Sequence, residues 1–490
     1  MFPDVPVLTR YFRRTYETDV DLRVDYTLIA LFPPSVVYFF FKMATNTSMA
    51  SDLPPLPTYN LSPRPSLIPG ISDNILALIL PIAAYWATSM FFHLLDVFDL
   101  FPQYRLHTPA ELSTRNRASR WDVVRDVVLQ QVVQTLAGLI LAYFDDAQEY
   151  IGKDDYNVAV WARRIRFLQR GIPYLLTVFG LDPSGVAAGL FQNGHKILAG
   201  VVAGGRYSGF TQSILSESGV ESVKPAFAAW EMSLASFIYW YFIPTLQFTW
   251  GICVVDTWQY FLHRAMHMNR WLYGMIRKPL SFLLDRVNFA AVKFHSRHHR
   301  LYVPYAYGAL YNHPVEGLLL DTAGAGIGFL TSGMTHRQSM WFFTFSTIKT
   351  VDDHCGYAFP WDPLQHATTN NAAYHDIHHQ SWGIKTNFSQ PFFTFWDKFF
   401  NTQWKGEVKL RYERSREAAD QKISARSQQQ SEADNSASDN AQPNRDAAVL
   451  SSEDSTDSNA RTRLRKKTAS LSPSVDSLKG VNHGVPSSVL

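Results

Sequence analysis

The sequence predicts an all-α integral membrane protein that carries a histidine-rich metal site on one side of the membrane. Three observations carry this. Hydrophobic residues make up 46% and aromatic residues 14% of the 490 residues, against only 18% charged, and the apolar share is concentrated before about Thr402. Four apolar stretches in that body approach membrane-spanning length. Finally, twelve of the sixteen histidines fall between His263 and His379, where even spacing would place about four. Neutral imidazole is the commonest protein metal ligand. The net charge of +3 is small and its basic residues are scattered, which argues against a nucleic-acid partner.

Taken in order, residues 1–64 read as an N-terminal extension. They hold one short apolar segment, Tyr26–Phe41, broken by Pro33-Pro34, and no cleavable leader is predicted. Ile75–Leu95 is apolar enough to cross a hydrocarbon core of about 30 Å. Val127–Phe144 is interrupted by Gln130, Gln131 and Gln134 and reads more weakly. Between them lies a loop with Arg105, Arg115, Arg117, Arg120 and Arg125, whereas the stretch from Ala44 to Asn74 has only Arg64. Positive loops favour the cytosol, so the first span runs from lumen to cytosol and the second returns. Residues 171–205 form an insert rich in glycine and small apolar residues, preceded by Arg163, Arg164, Arg166 and Arg170 in a long luminal loop. Met232–Val255 is a firm span that delivers Asp256 and His263 to the cytosolic side. Val315–Ile348 is two apolar halves around a break at Ser332–Gln338. It is too short to cross twice, so a tilted or re-entrant hairpin is expected. After residue 405 the composition turns polar, with a basic run at Arg461–Lys467, and a disordered tail is predicted over 406–490. Cys253 and Cys355 lie far apart and offer neither a disulfide framework nor a thiolate pair.

The histidines come in groups: His263 and His267; His295, His298 and His299; His375, His378 and His379. Residues four apart share a helix face, while neighbours such as His298 and His299 diverge and so can serve different ions. Eight imidazoles suit two ions better than one. His354, at the exit of the hairpin, completes the set, and His313 is a further candidate. Asp256, Asp353 and Asp376 are the carboxylates placed to accept a ring N–H of a ligand. His93, His107, His195, His336, His366 and His483 are assigned no role. Without thiolates an iron–sulfur cluster is excluded, and an all-imidazole pair at a membrane surface argues for iron and oxygen chemistry on a lipid C–H bond. A membrane zinc protein without oxygen chemistry is the alternative of another class.

These residues resemble the integral-membrane di-iron hydroxylases of the fatty acid hydroxylase and sterol desaturase superfamily. Three segments are similar to its sphinganine C4-hydroxylase branch: Tyr311–Thr322, Thr350–Tyr357, and Asn370–Gln380 with the following Gly383–Asp397. The resemblance covers about residues 65 to 405. It implies about four membrane helices or hairpins under a cytosolic helical cap that carries the di-metal site. It also implies an endoplasmic reticulum location, two iron ions, O2, and electrons from NAD(P)H through cytochrome b5 and its reductase. The implied reaction hydroxylates sphinganine, or its ceramide, at C4. Asn312, Asp353 and Asn371 are the groups expected near the polar head of the substrate. A sterol C4-methyl oxidase or C5-desaturase would use the same metal chemistry, but the Asn387–Phe393 segment disfavours it.

Overall fold

A computed structural model describes residues 53–143, 149–215, 221–269, 272 and 295–439. The Tyr26–Phe41 segment, the basic run at Arg461–Lys467 and His483 lie outside the described residues. About two-thirds of the described residues are helical, and the chain divides into two compact units, one of residues 1–65 with 147–246 and the other of residues 66–146 with 247–490. The domain expected over 65–405 contributes to both units, and its 171–205 insert lies in the smaller one.

In the larger unit, helix α1 (Asp73–Val97) starts where the Ser72 side chain accepts the Ile75 N–H, giving one of the first turn's unpaired donors an acceptor. Its 25 residues span about 37 Å. Tyr85, Ser89, Phe92 and Leu95 form its buried stripe, while Phe91 and Leu94 are more than half exposed. An apolar face with no protein partner is what a lipid-facing helix needs. A capping box of Thr108 and Glu111 opens the short helix α2 (Pro109–Arg115). Helix α3 (Arg120–Tyr143) begins earlier than the sequence suggested, so Arg120 and Arg125 belong to its first turns rather than to the loop. Two of the three glutamines that weakened this span point inward: Gln130 and Gln131 are buried, and Gln131 accepts the Trp86 indole N–H at 2.9 Å.

Helices α1 and α3 and a 40-residue apolar helix over Ala229–Met268 are each long and apolar enough to cross a membrane. The last comprises α8 (Ala229–Phe237), a π turn, and α9 (Ile243–Met268). Beyond Leu246 its buried face is Val255, Asp256, Gln259, Tyr260, His263, Met266 and His267, spaced by three and four as one helical stripe requires. The expected hairpin is present. Helix α10 (Pro314–Gly317), a π turn and α11 (Ala323–Ser332) make the first arm, and α12 (His336–Asp353) makes the second. Gly333 turns the chain at φ +68°, and a Thr335–Gln338 capping box starts α12. The arms seat closely because glycine allows it. A Cβ on Gly328 would lie 3.2 Å from the Gly251 carbonyl, and one on Gly317 would overlap Gln130.

After α12 come α13 (Pro363–Ala367), α14 (Ala372–His379) and α15 (Phe395–Phe399). The polar segment expected to be disordered instead forms α16 (Lys409–Asp439). Composition misleads because only one face of its first turns is buried. Tyr412 donates to Asp376, Arg416 donates to the Leu106 carbonyl, and Ala419 is buried. These spacings of four and three put all three on one side. From Asp420 to Asn435 the helix is exposed.

The smaller unit holds α4 (Lys153–Gln169), α5 (Gly171–Val178), α6 (Pro183–Gln192), α7 (Lys196–Val202) and a hairpin of β1 (Thr211–Leu215) with β2 (Glu221–Pro225). Its centre is a buried Arg166–Glu231 ion pair at 2.5 Å, joined by Gln169. Val158, Ala162, Ile165 and Ala235 pack around it.

Candidate metal centre

Four segments of the larger unit converge on one buried point. Helix α9 brings His263 and His267, one turn apart. A 3₁₀ turn, His295–Arg300, brings three more histidines. His354 caps the C-terminus of α12, and α14, opened by the Asn371 side chain accepting the Tyr374 N–H, brings the last three. All nine imidazoles are buried.

They sort into two groups. His263, His267, His295, His299 and His378 form one, and His298, His354, His375 and His379 the other; within each, the ligand nitrogens lie within 4.8 Å of one another. The sorting follows the i, i+4 geometry of an α-helix in α9 and α14; the His295–Arg300 3₁₀ turn, in which i aligns with i+3, reaches the same sorting without it. In each His-x-x-His-His motif the outer pair, four residues apart, enters one group and the middle histidine enters the other. The two motifs are therefore interlocked: His295 and His299 join the first group and send His298 to the second, while His375 and His379 join the second and send His378 to the first.

The rings are oriented from behind. Nδ1 of His263, His354, His378 and His379 lies 2.9, 2.8, 2.7 and 2.8 Å from the carbonyl oxygens of Phe388, Thr350, Thr386 and Leu301. A carbonyl can only accept, so Nδ1 carries the proton and the Nε2 lone pair faces the centre. His295 Nδ1 instead meets the Glu316 carboxylate at 2.5 Å. In the centre, the Nε2 atoms approach one another. The separations are 3.2 Å for His263–His267, 2.7 Å for His267–His295, 3.1 Å for His295–His299, 3.1 Å for His354–His375 and 3.2 Å for His375–His379. The buried Nε2 of His378 has no protein hydrogen-bond partner. Facing lone pairs at such distances repel unless a cation lies between them. About 3 Å is also the edge of a coordination polyhedron whose metal–nitrogen bonds are about 2.1 Å. Burial pushes His295 and His298 down to about 3, so these rings stay neutral and available as ligands. The donor set therefore fits two divalent metal ions.

Of the carboxylates expected behind the ligands, none bonds a ligand ring. Asp256 accepts the backbone N–H groups of Phe392 and Phe393 at 3.0 and 2.8 Å. Seven residues from His263 it shares that residue's helix face, but it sits about 10 Å lower along the axis. Asp353 pairs with Lys349 and accepts from Asn370 at 3.0 Å. Asp376 binds His107 at 2.9 Å, Gln380 at 3.0 Å and Tyr412. Its helix position, next to His375, turns it away from the ligand groups. The carboxylate that does support a ligand is Glu316, which the sequence reading passed over although it lies inside the Tyr311–Thr322 segment. His313 is not a ligand: it caps α10, its Nδ1 accepting the Val315 N–H at 3.3 Å. Asn371 is spent as the cap of α14, whereas Asn312 is buried beside Asp321, 3.4 Å away.

His107 was assigned no role, yet it is buried between Glu111, 3.1 Å from Nδ1, and Asp376. Burial alone would lower it, but the charge and hydrogen bond of Asp376, then those of Glu111, prevail and raise it to about 9. Glu111, four residues on, is a local partner that the spacing offered, whereas Asp376 lies 269 residues away.

A narrow cavity borders both groups, lined by His263 and His295 of the first and His298, His354 and His375 of the second, with Gln259, Asn312, Glu316, Asp321 and Asp353. Its volume is about 20 Å³, room for roughly one water-sized molecule.

A family model for fatty acid hydroxylases matches residues 248–402, the stretch that holds all nine histidines. A sphingolipid C4-hydroxylase of Saccharomyces cerevisiae is 42% identical over 350 residues, 71% of this chain and 77% of its own length. The chain belongs to the fatty acid hydroxylase family, in the branch of the sphingolipid C4-hydroxylases. A sphingolipid C4-hydroxylase of Schizosaccharomyces pombe is 36% identical over 71% of this chain and 94% of its own. A very-long-chain aldehyde decarbonylase of Oryza sativa is 35% identical over 68% of this chain and 89% of its own. No solved structure matches the chain.

Proposed function

We propose that the two histidine groups hold two iron ions and that the protein hydroxylates a sphingoid base, sphinganine or its ceramide, at C4. The carrying observation is the pair of interlocked, inward-facing imidazole groups, found in a chain whose relatives from two yeasts are sphingolipid C4-hydroxylases. Iron bound there supplies O2 activation: one oxygen atom enters the C4–H bond, and the other leaves as water with two electrons and two protons. Cytochrome b5 and an NAD(P)H-dependent reductase are the electron source, at the cytosolic face of the endoplasmic reticulum.

The protein's own groups set the conditions. Backbone carbonyls and Glu316 lock each ring they touch in the tautomer that points Nε2 inward, so little reorganisation is needed for binding. The cavity beside both groups is large enough for a small gas or water molecule and too small for bulk solvent. Gln259, Asn312 and Asp321, bonded to one another, furnish polar contacts for the hydroxylated head of the lipid at its edge. Holding C4 at near-attack distance from that edge would supply the regioselectivity.

Expression in a strain that lacks 4-hydroxylated sphingoid bases tests the reading. Restored 4-hydroxylated bases support it. Their absence, at a normal protein level and with cytochrome b5 present, overturns it, and aldehyde loss or C4-demethylated sterol in their place would identify the competing chemistry. Metal analysis of active protein should give iron near two per chain, whereas stoichiometric zinc in active protein would favour the membrane zinc alternative. The orientation is checked in sealed microsomes. A cysteine placed at the exposed Ser119 should react with an impermeant maleimide without detergent.

A further inference from the structure

The insert in the smaller unit presents an apolar surface that water does not suit. Along α5, α6 and α7, Tyr174, Leu175, Val178, Phe179, Leu181 and Leu198 are all about half exposed or more, with Phe179 at 78% and Val178 at 63%. Soluble surfaces rarely gather so many large apolar side chains in so short a stretch. From Gly171 to His195 Asp182 is the one acidic or basic side chain other than histidine. Its carboxylate is occupied as a helix cap, accepting the Ser184 and Gly185 N–H groups at 3.0 and 2.9 Å.

The backbone at the turns is also closed upon itself. Phe179, Gly180 and Leu181 donate to the carbonyls of Leu175, Thr177 and Leu176, and Asn193, Gly194 and His195 donate to those of Gly189, Phe191 and Leu190. Glycines at φ +75° and +84° make both turns possible. The Thr177 hydroxyl donates to the Pro173 carbonyl. A turn in water needs no such economy, because water satisfies its donors. A turn in hydrocarbon needs all of it.

The dimensions and charges fit one leaflet. The helix Lys153–Val178 bends by 112° into Pro183–Gln192. The eight residues of α5 and the ten of α6 reach about 12 and 15 Å, well short of the ~30 Å needed to cross. Basic residues gather at the base of this hairpin: Arg163, Arg164 and Arg170 before it, and Lys196 after it. That is the order of a segment whose apolar tip enters acyl chains while cations meet the phosphates, at an expected depth of about 5–10 Å.

We infer that residues 171–198 form a wedge that inserts into a single leaflet of the bilayer, with phospholipid acyl chains as its partner and headgroup phosphates at its basic rim. The inference is independent of the metal chemistry.

Spin labelling of the full chain in phospholipid bilayers tests it. Cysteines are placed singly at Val178, Phe179 and Leu198, with Lys224, exposed on β2, as the aqueous reference. The signal of the parent chain, which has Cys253 and Cys355, is subtracted. At the three wedge positions, collisions with dissolved oxygen should exceed those with a water-soluble nickel chelate several-fold, and Lys224 should show the reverse. Retained hydroxylase turnover certifies the fold of each variant. Nickel accessibility at Phe179 equal to that at Lys224 would place the tip in water and overturn the inference. Low accessibility to both reagents would mean that protein, from this chain or a second copy, covers the surface, and would overturn it equally.

Discussion

The two histidine groups look alike in ligand type but differ in what stands behind them. The first has five imidazoles, two of them on the long helix α9, and a carboxylate, Glu316, behind His295. The second has four, and the ring supports seen there are backbone carbonyls, Thr350 behind His354 and Leu301 behind His379. A carboxylate behind a ring raises its basicity and donor strength more than a neutral carbonyl does. The first group is thus over-provided and electron-rich, while the second is at the minimum for a four-coordinate ion. Loss of one ligand should therefore affect them unequally.

The largest effect is expected from the second group. His379→Ala or His298→Ala leaves three imidazoles there and should remove product altogether. Changing a residue behind a ligand costs about 10–100-fold, and losing the ligand itself should exceed that. Metal per chain should fall by about one ion in His379→Ala, while His299→Ala, which leaves four ligands in the first group, should keep more metal although its turnover also falls. Membrane insertion should be unchanged in all three. Near-normal product from His298→Ala or His379→Ala at matched protein level would refute the two-ion reading, and equal metal loss in both groups would refute the asymmetry.

Glu316 sharpens the same contrast. Burial raises the Glu316 carboxyl to about 8; Glu316→Gln keeps the shape but leaves no group that can ionise behind His295, and activity or metal affinity should drop about 10–100-fold. The loss should fall on the first group alone, so a residual content near one tightly held ion per chain is expected. An unchanged metal titration would show that the short contact with His295 has no electronic consequence.

The histidine pattern was legible in the sequence because i, i+4 spacing fixes direction on a helix whatever the tertiary fold. Divergence of neighbouring histidines was readable for the same reason. What periodicity could not give is height along a helix and contacts across the chain. Asp256 has the right direction but belongs two turns below the ligands, and Asp376 shares a helix with three ligands yet points at its other side. Glu316 lies 21 residues from His295, and His107 has a local partner in Glu111 but lies 269 residues from Asp376; no local signal encodes the long-range contacts. The spans were readable from apolar length, and Gln130 and Gln131 weakened one of them because inward burial of a glutamine, like the Trp86–Gln131 hydrogen bond, is invisible in a hydropathy average. The polar helix α16 was missed because three anchoring residues do not alter the composition of a tail.

That helix braces α14, which carries two ligands of the second group and one of the first. Tyr412 donates to Asp376, on the helix that carries His375 and His379, and Arg416 ties the same turns to Leu106. A chain ending after Arg416 retains both contacts and should keep turnover with cytochrome b5 and its reductase. A chain ending after Gly406 loses both. Tyr412→Phe removes one hydrogen bond to a buried carboxylate, a loss of about 1.5–3 kcal/mol, which should lower the unfolding midpoint and reduce turnover several-fold. Equal turnover in the two truncations would show that α16 is a passenger.

The smallest effect belongs to His107, which binds the same carboxylate with its ring 5.2 Å from that of Tyr412. Its folded value, raised to about 9, lies above the unfolded value of about 6.5. The stabilisation it provides is therefore complete below about pH 6.5 and is lost as pH rises through about 9. The wild-type midpoint should decline across that window more steeply than that of His107→Gln, which keeps hydrogen-bonding atoms but has no proton to lose. Because Asp376 also receives Tyr412 and Gln380, the ligands on α14 stay supported at high pH, so metal content should hold while the midpoint falls. Parallel pH profiles for the two proteins would show that the charge on His107 contributes nothing, and metal loss in step with the midpoint would show that His107 supports the second group directly.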